Sequence, residues 1–219
     1  MACPGAGRLV FFCASACIRA GNVPKWRRRP IFAVMYRFPS ASLLRQTRRH
    51  LKRGGVIAYA TESCFGLGCD PRNARGLKAI LRIKGRPNHK GMIVVGAGVE
   101  AFRGLIRMPD TAGRARLATR WPGPTTFLLP AGRQALPWLR GRHTTLAVRV
   151  SAHAGVAALT RRLGPLVSTS ANVAGKRSLR SAAACRHAFG DRLLTLPGLV
   201  GRRRRPSTII DFASGRVLR

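Results

Sequence analysis

The chain has 219 residues, 46% of them hydrophobic, and a formal net charge of +35 from 41 Lys and Arg against 6 Asp and Glu. This length and hydrophobic content favour one domain, two at most, with a proper core, and they exclude a disordered chain. Six acids cannot pair 41 cations, which excludes a surface covered with salt bridges and an acidic metal cage of the calcium type. A large anionic partner such as nucleic acid and a general use of Arg on the surface both explain the charge.

The first 34 residues differ from the rest of the chain. The apolar run Leu9–Ile18 is too short to span a membrane and resembles a weak secretory signal followed by small residues. We favour the alternative that translation begins at Met35 and that residues 1–34 are upstream sequence or a disordered tail. Residues 1–34 are therefore assigned as an extension and residues 35–219 as one domain. The extension holds six cations and no acid, which leaves +29 of the charge to the domain.

The six cysteines form no C-x-x-C pair and have no partner at zinc-finger spacing. A disulfide framework is not expected in a chain of this length with a full core. We therefore predict reduced thiols, a cytoplasmic protein and no membrane segment.

After Met35, hydrophobic periodicity predicts alternating helices and strands. Predicted helices cover 40–53, 73–84, 111–119, 155–163 and 181–189. Predicted strands cover 56–60, 92–95, 126–129, 146–150, 166–168 and 208–211, the last in a hairpin with 217–218. Residues 61–71 have no period and carry glycines and a proline, which predicts a loop. The alternation favours an α/β domain with a mixed sheet and helices on its faces, made partly antiparallel by the closing hairpin.

Three segments beside these elements carry side chains suited to anionic ligands. Residues 59–70 follow the first strand with Thr61, Glu62 and two glycines that let a ligand approach the backbone. Residues 84–91 place Lys84, Arg86 and Lys90 between a helix end and a buried strand. Residues 167–175 follow a strand with Ser168, Ser170 and Asn172. Each segment alone also fits an ordinary turn or a solvated basic loop.

Several catalytic arrangements are missing from the sequence. It has no G-x-S-x-G nucleophile elbow, no Walker A loop and no His with an acidic partner that would act as a base. Their absence favours catalysis by positioning of the substrates and neutralisation of their charge, which is how phosphoryl and nucleotidyl transfer are usually catalysed.

Taken together and in order, the segments resemble the YrdC-like family, in particular its short bacterial members. The matching motifs lie in 56–71, 84–91, 120–127, 146–150, 165–172 and 206–207, and the resemblance covers essentially all of 35–219. It implies an open twisted α/β sheet with a concave basic surface. It also implies a nucleotidyltransferase that converts L-threonine, bicarbonate and ATP to threonylcarbamoyl-AMP and pyrophosphate. The product would supply threonylcarbamoyladenosine modification of tRNA beside the anticodon, with partner proteins transferring the group.

The resemblance also implies roles for residues. Lys84 and Arg86 would be catalytic and, with Lys90, would hold the triphosphate and the carboxylated intermediate. Threonine or the adenylate would contact Thr61, Thr126 and Ser168. ATP would be bound by Arg86, Lys90, Ser170, Asn172, Ser178, Arg149 and Ser207. Mg²⁺ would be held by the ATP phosphates and water, with no side-chain carboxylate as a direct ligand.

The second hypothesis is a non-enzymatic RNA-binding protein, for double-stranded RNA, tRNA or the ribosome. The charge favours it, but aromatic residues are only 6% and show no pattern for base stacking. Thr61, Ser170 and Asn172 favour the enzyme, since a non-specific RNA binder has no need of them. The four-Arg run Arg202–Arg205, close to Ser207, is richer than the family motif needs.

Overall fold

A computed structural model of the chain describes residues 39–173 and 175–219. The proposed extension and the start at Met35 lie outside these residues. The helices are α1 (Ala41–Lys52), α2 (Ala74–Lys84), α3 (Thr111–Ala118), α4 (Pro137–Arg140), α5 (Ala154–Leu163) and α6 (Ala182–Phe189). The strands are β1 (Ile57–Ala60), β2 (Phe65–Gly68), β3 (Ile93–Gly96), β4 (Thr125–Pro130), β5 (Thr145–Val150), β6 (Leu166–Ser170), β7 (Leu194–Thr195) and β8 (Thr208–Asp211). Two short 3₁₀ helices cover Val99–Phe102 and Gly190–Arg192.

The eight strands form one open mixed sheet in the order β7-β1-β2-β6-β3-β5-β4-β8. This confirms the predicted α/β class. Besides the closing hairpin, the antiparallel pairs are β1–β2, β2–β6, β3–β6 and β4–β5, whereas β8 runs parallel to β4. The chain does turn back after β8, as expected, with a bridge between Ile210 and Val217.

Helix ends follow the capping residues that the sequence offers. The Ser40 side chain accepts a hydrogen bond from the Leu43 N–H at the start of α1. The Asn73 side chain accepts from the Arg75 N–H at the start of α2, which ends at Gly85 with a left-handed φ of 58°. Each cap satisfies backbone groups that have no partner inside the helix.

The sheet separates two apolar cores because successive side chains of a strand point to opposite faces. Ala58 and Ala60 of β1 belong to the larger core, which also contains side chains of α2, α3, α4 and α6. Ile57 and Tyr59 of the same strand belong to the smaller core, which side chains of α1 and α5 complete. In the ranges the structure describes, no helix is both long and apolar enough to cross a membrane.

Candidate active site

The smaller core covers only part of its sheet face, and the rest of that face forms the floor of a cleft of about 650 Å³. Ser168, Ile93, Ala147 and Leu128 are paired in register across four adjacent strands, so their side chains lie in one row on this face. All four line the cleft. The floor thus combines one hydroxyl with small and apolar side chains.

Gly66 of β2 widens the cleft at the end near β1. A Cβ atom at this position would lie 3.2 Å from Thr61 Cγ2 and 3.5 Å from Ser168 Oγ. Because glycine has no side chain, space remains between these two side chains. Thr61 lies directly after β1, its hydroxyl donates to the Cys64 carbonyl at 2.8 Å, and it lines the cleft.

The rim of the cleft is strongly basic. Among the described residues that line it there are seven Lys and Arg and no Asp or Glu: Arg86, Lys90, Arg140, Arg149, Arg180, Arg204 and Arg219. Such a rim suits a ligand with several negative charges. Whether the wider face is concave and basic stays a prediction.

Lys84 lies behind the cleft, at the end of α2, and is only 5% exposed. Its Nζ donates to the Ser170 carbonyl at 2.7 Å, to the Asn172 carbonyl at 2.9 Å and to Asn172 Oδ1 at 3.0 Å. Burial, with a smaller contribution from the charge of Arg86, lowers the pKa of Lys84 to about 8. All three ammonium protons therefore hold the loop that follows β6.

The same loop is fixed from within by its own side chains. Ser170 Oγ donates to Asn172 Oδ1 at 2.5 Å, and Asn172 Nδ2 donates to the Lys176 carbonyl at 2.8 Å. Ser170 lines the cleft, while Asn172 lies one layer behind it. Ser170 and Asn172 are therefore held by hydrogen bonds within the protein.

Two guanidinium groups of the rim are partly buried and held by the protein. Arg86 Nη2 donates to the Gly91 carbonyl at 2.6 Å, and burial lowers the pKa of Arg86. Arg149 Nη2 lies 3.2 Å from Glu62 Oε2, and Ser151 Oγ donates to Glu62 Oε1 at 2.7 Å. The Nε atoms of Arg86 and Arg149 are buried and have no partner among the described residues.

The opposite wall is built on Ser207, which precedes β8. The buried Thr126 hydroxyl donates to Ser207 Oγ at 3.0 Å, and the Arg219 guanidinium donates to the Ser207 carbonyl at 3.2 Å. Ser207 and Arg219 line the cleft, whereas Thr126 supports Ser207 from below.

The structure brings most of the predicted site residues to one cleft. Its lining includes Thr61, Arg86, Lys90, Arg149, Ser168, Ser170, Ser178 and Ser207. Lys84, Thr126 and Asn172 lie outside the lining and contact residues that belong to it. The sequence analysis did not select Arg140, Arg180 and Arg219, because each lies in a basic segment without a recognised motif. Arg204 had a signal, the four-Arg run, that the sequence alone did not resolve into separate positions.

The described residues contain no group of three or more His, Cys, Asp and Glu that could hold a metal ion. Glu62, whose carboxylate contacts the rim residue Arg149, is already paired with Arg149 and Ser151. The hydroxyls of Ser168 and Ser170 are among the neutral oxygen ligands that the cleft lining offers. These donors fit a Mg²⁺ ion that arrives on the phosphates of a nucleotide, since Mg²⁺ usually keeps several waters and substrate oxygens as ligands.

The fold and the cleft define an α/β domain whose open sheet face carries a cleft with a basic rim, suited to a small polyanionic ligand. The sequence profile of the Sua5/YciO/YrdC family, described as "Telomere recombination", matches residues 49–219. The chain belongs to this family.

Two bacterial relatives match over most of the chain. A protein of Laribacter hongkongensis is 70% identical over 185 residues, which are 84% of this chain and 100% of that protein. A protein of Chromobacterium violaceum is 60% identical over 184 residues, which are 84% of this chain and 95% of that protein. Both relatives carry the name threonylcarbamoyl-AMP synthase.

Solved structures show the same fold. The crystal structure of P. abyssi Sua5 complexed with L-threonine has a TM-score of 0.70 and 29% identity, covering 77% of this chain and 50% of that chain. This chain thus spans about half the length of the Sua5 chain. The crystal structure of E. coli YciO has a TM-score of 0.67 and 24% identity, covering 79% of this chain and 85% of that chain.

Proposed function

We propose that this chain is an enzyme that condenses L-threonine, bicarbonate and ATP to threonylcarbamoyl-AMP and releases pyrophosphate. The observation that carries the proposal is the combination in one cleft of a hydroxyl-bearing floor, Thr61 and Ser168, with a rim of seven cations. The two relatives named for this product support it, and so does the threonine complex of Sua5.

The reaction has two bond-forming steps. The threonine amine, as its neutral form, attacks the carbon of bicarbonate or dissolved CO₂ and yields a carbamate. In both routes the nitrogen loses a proton, and with bicarbonate a hydroxide also leaves and takes up that proton as water. A carbamate oxygen then attacks the α-phosphorus of ATP, and the bond from this phosphorus to the bridging oxygen breaks to release pyrophosphate. Both steps bring anions together, so Arg86 and Lys90 offset their repulsion and align them.

The remaining predicted residues have separate tasks in this proposal. Thr61 and Ser168 bind threonine or the adenylate, with Thr126 acting through Ser207. Ser170, Ser178 and Arg149 contact the nucleotide, and Lys84 and Asn172 hold the loop that presents Ser170. When bound, Mg²⁺ supplies charge neutralisation on the phosphates, near Ser168 and Ser170.

The proposed activity implies further partners and a compartment. The product is a mixed anhydride, so proteins that transfer its threonylcarbamoyl group to tRNA are the partners we expect. An enzyme that uses ATP and serves tRNA modification works where both are present, so the cytoplasm remains the predicted compartment. The RNA-binding hypothesis is not favoured as the main function, because backbone-driven RNA binding does not require Thr61 or a preformed loop at Ser170. Contact with RNA along the basic surface remains compatible with the enzyme.

The experiment is a pyrophosphate-release assay with ATP, Mg²⁺ and bicarbonate, with and without threonine, and with the product identified by mass spectrometry. Arg86→Ala should lower the threonine-dependent rate by roughly two orders of magnitude, because it removes charge-assisted hydrogen bonds to anionic substrate. Arg82→Ala is the matched control, since Arg82 is an exposed cation of α2, four residues before Arg86, that does not line the cleft. Folded wild-type protein that releases no threonine-dependent pyrophosphate would contradict the function. An Arg86→Ala variant as active as Arg82→Ala would contradict the assignment of Arg86.

A further inference from the structure

A segment we call the strap, residues 199–206, crosses the end of β1 and carries the four-Arg run. The Gly201 N–H donates to the Thr61 carbonyl at 2.9 Å, and the Arg203 N–H donates to the Glu62 carbonyl at 3.1 Å. These two backbone hydrogen bonds join the strap to the residues at one end of the cleft.

The four arginines of the run have different surroundings. The Arg203 side chain folds back along the strap, with Nε donating to the Arg205 carbonyl at 3.0 Å and Nη2 to the Pro206 carbonyl at 3.3 Å. Arg204 is exposed and lines the cleft. Arg202 and Arg205 are exposed and lie outside the lining. Of the four arginines in the run, only Arg204 therefore lines the cleft, and its three neighbours carry the same charge outside the lining.

Most of the cleft cations are held by hydrogen bonds within the protein. The guanidiniums of Arg86, Arg140, Arg149, Arg180 and Arg219 each donate to a backbone carbonyl or to Glu62. Within the described residues, the side chains of Lys90 and Arg204 have no hydrogen-bond or ion-pair partner. Among the described residues of the cleft, these are therefore the two cations whose N–H groups are all available to hydrogen-bond a ligand.

We propose that Arg204 binds a phosphate group of the nucleotide, together with Lys90, and holds the pyrophosphate that the reaction releases. The inference rests on the proposed function for the identity of the nucleotide. A polyphosphate is the ligand class that fits, because it offers several anionic oxygens to cations on separate segments, whereas one carboxylate offers two. Arg204 suits this task since its planar guanidinium can donate two parallel hydrogen bonds to phosphate oxygens.

The test is calorimetric titration of the full chain with pyrophosphate, with ATP and with threonine, each alone. Arg204→Ala should weaken pyrophosphate and ATP binding about tenfold, the low end for a charge-assisted hydrogen bond at an exposed site. Arg202→Ala and Arg205→Ala are matched controls, because each removes the same charge from the same run. They should change either dissociation constant less than about twofold at physiological salt, where separated exposed charges are screened. Threonine binding should be equal in all four proteins.

Three outcomes would overturn the proposal. Equal weakening in all three variants would mean that only the overall charge acts. A loss of threonine binding in Arg204→Ala, with pyrophosphate unaffected, would mean a carboxylate site instead. A melting temperature that is lowered in Arg204→Ala and in neither control variant would point to a structural role. In that case Arg204→Lys, which keeps the charge, should restore neither the melting temperature nor pyrophosphate binding.

These titrations also separate this inference from the proposed function. Pyrophosphate binding that depends on Arg204, in a protein without threonine-dependent pyrophosphate release, would leave the inference standing and remove the function. If the wild-type protein is active but its Arg204→Ala variant binds pyrophosphate as well as the controls do, the proposed function stands and this inference is wrong.

Discussion

At the scale of single residues, Lys84 shows how a cation can serve a site without lining it. Its ammonium holds the carbonyls of Ser170 and Asn172 and the Asn172 side chain. The resemblance to the family marked Lys84 as catalytic, whereas its contacts support a positioning role. The geometry of the loop after β6 therefore depends on the charge of one side chain.

The lowered pKa of Lys84 makes this dependence measurable. Above pH about 8 the folded protein loses the ammonium proton, while in the unfolded chain Lys84 keeps its ordinary pKa of 10.5. Between these values the unfolded state binds more protons, so this group makes the free energy of unfolding rise with pH. We expect kcat/KM to fall above pH about 8 although the melting temperature does not fall on account of Lys84.

Lys84→Arg provides the control, because a guanidinium stays protonated throughout this range. The alkaline fall of kcat/KM should move to higher pH in this variant, whereas a fall due to the substrates would stay in place. Identical pH profiles for wild type and Lys84→Arg would show that Lys84 does not set the alkaline limb.

At the scale of elements, the strap and β1 depend on each other through close backbone packing. A Cβ atom on Gly201 would lie 2.6 Å from the Glu62 carbonyl oxygen and 3.0 Å from its Cα. No larger residue fits at position 201 unless the strap moves away from β1. Such a move would displace Thr61 and Arg204 together, since the strap contacts one and carries the other.

Gly201→Ala should therefore weaken threonine and pyrophosphate binding together and lower the free energy of unfolding by about 1–3 kcal/mol, as overpacking usually does. Urea unfolding and the same titrations measure both effects. Gly98→Ala is the control, because nothing lies within 4 Å of a Cβ there and its φ of −167° is open to any residue. Its unfolding free energy should change by less than about 0.5 kcal/mol. If Gly201→Ala behaves like Gly98→Ala, the strap is not packed as described.

The elements also show what the sequence could and could not predict. Long periodic segments such as α1 and α2 were predicted with their caps, because Ser40 and Asn73 act within a few residues. Strand β2 was predicted as part of a loop, since Gly66 and Gly68 carry no side chains that would show a period of two. Its strand geometry comes from pairing with β1 and β6. In the site, the ion pair of Glu62 and Arg149 joins residues 87 positions apart, which local patterns do not predict.

At the scale of the whole molecule, the seven cleft cations explain only part of the net charge of +35. The proposed extension carries six more, and every described lining residue follows Met35. We therefore expect a protein that starts at Met35 to keep kcat/KM within about twofold of the full chain, because it retains every described residue of the cleft lining.

Mass spectrometry of the protein from its natural host tests the start itself. Peptides from residues 1–34 would contradict a start at Met35, and a large loss of activity in the shorter protein would show that the extension takes part in catalysis.

The partly covered sheet face has a consequence for the energetics of the fold. Helices α1 and α5 form a layer over one part of this face, and the cleft occupies the part that they leave open. Substrates bound there take the position of a missing piece of that layer. Because ligand binding uses the same sheet face as folding, a bound ligand should suppress local opening of β3, β4, β5 and β6. The amide exchange of these strands should then become slower.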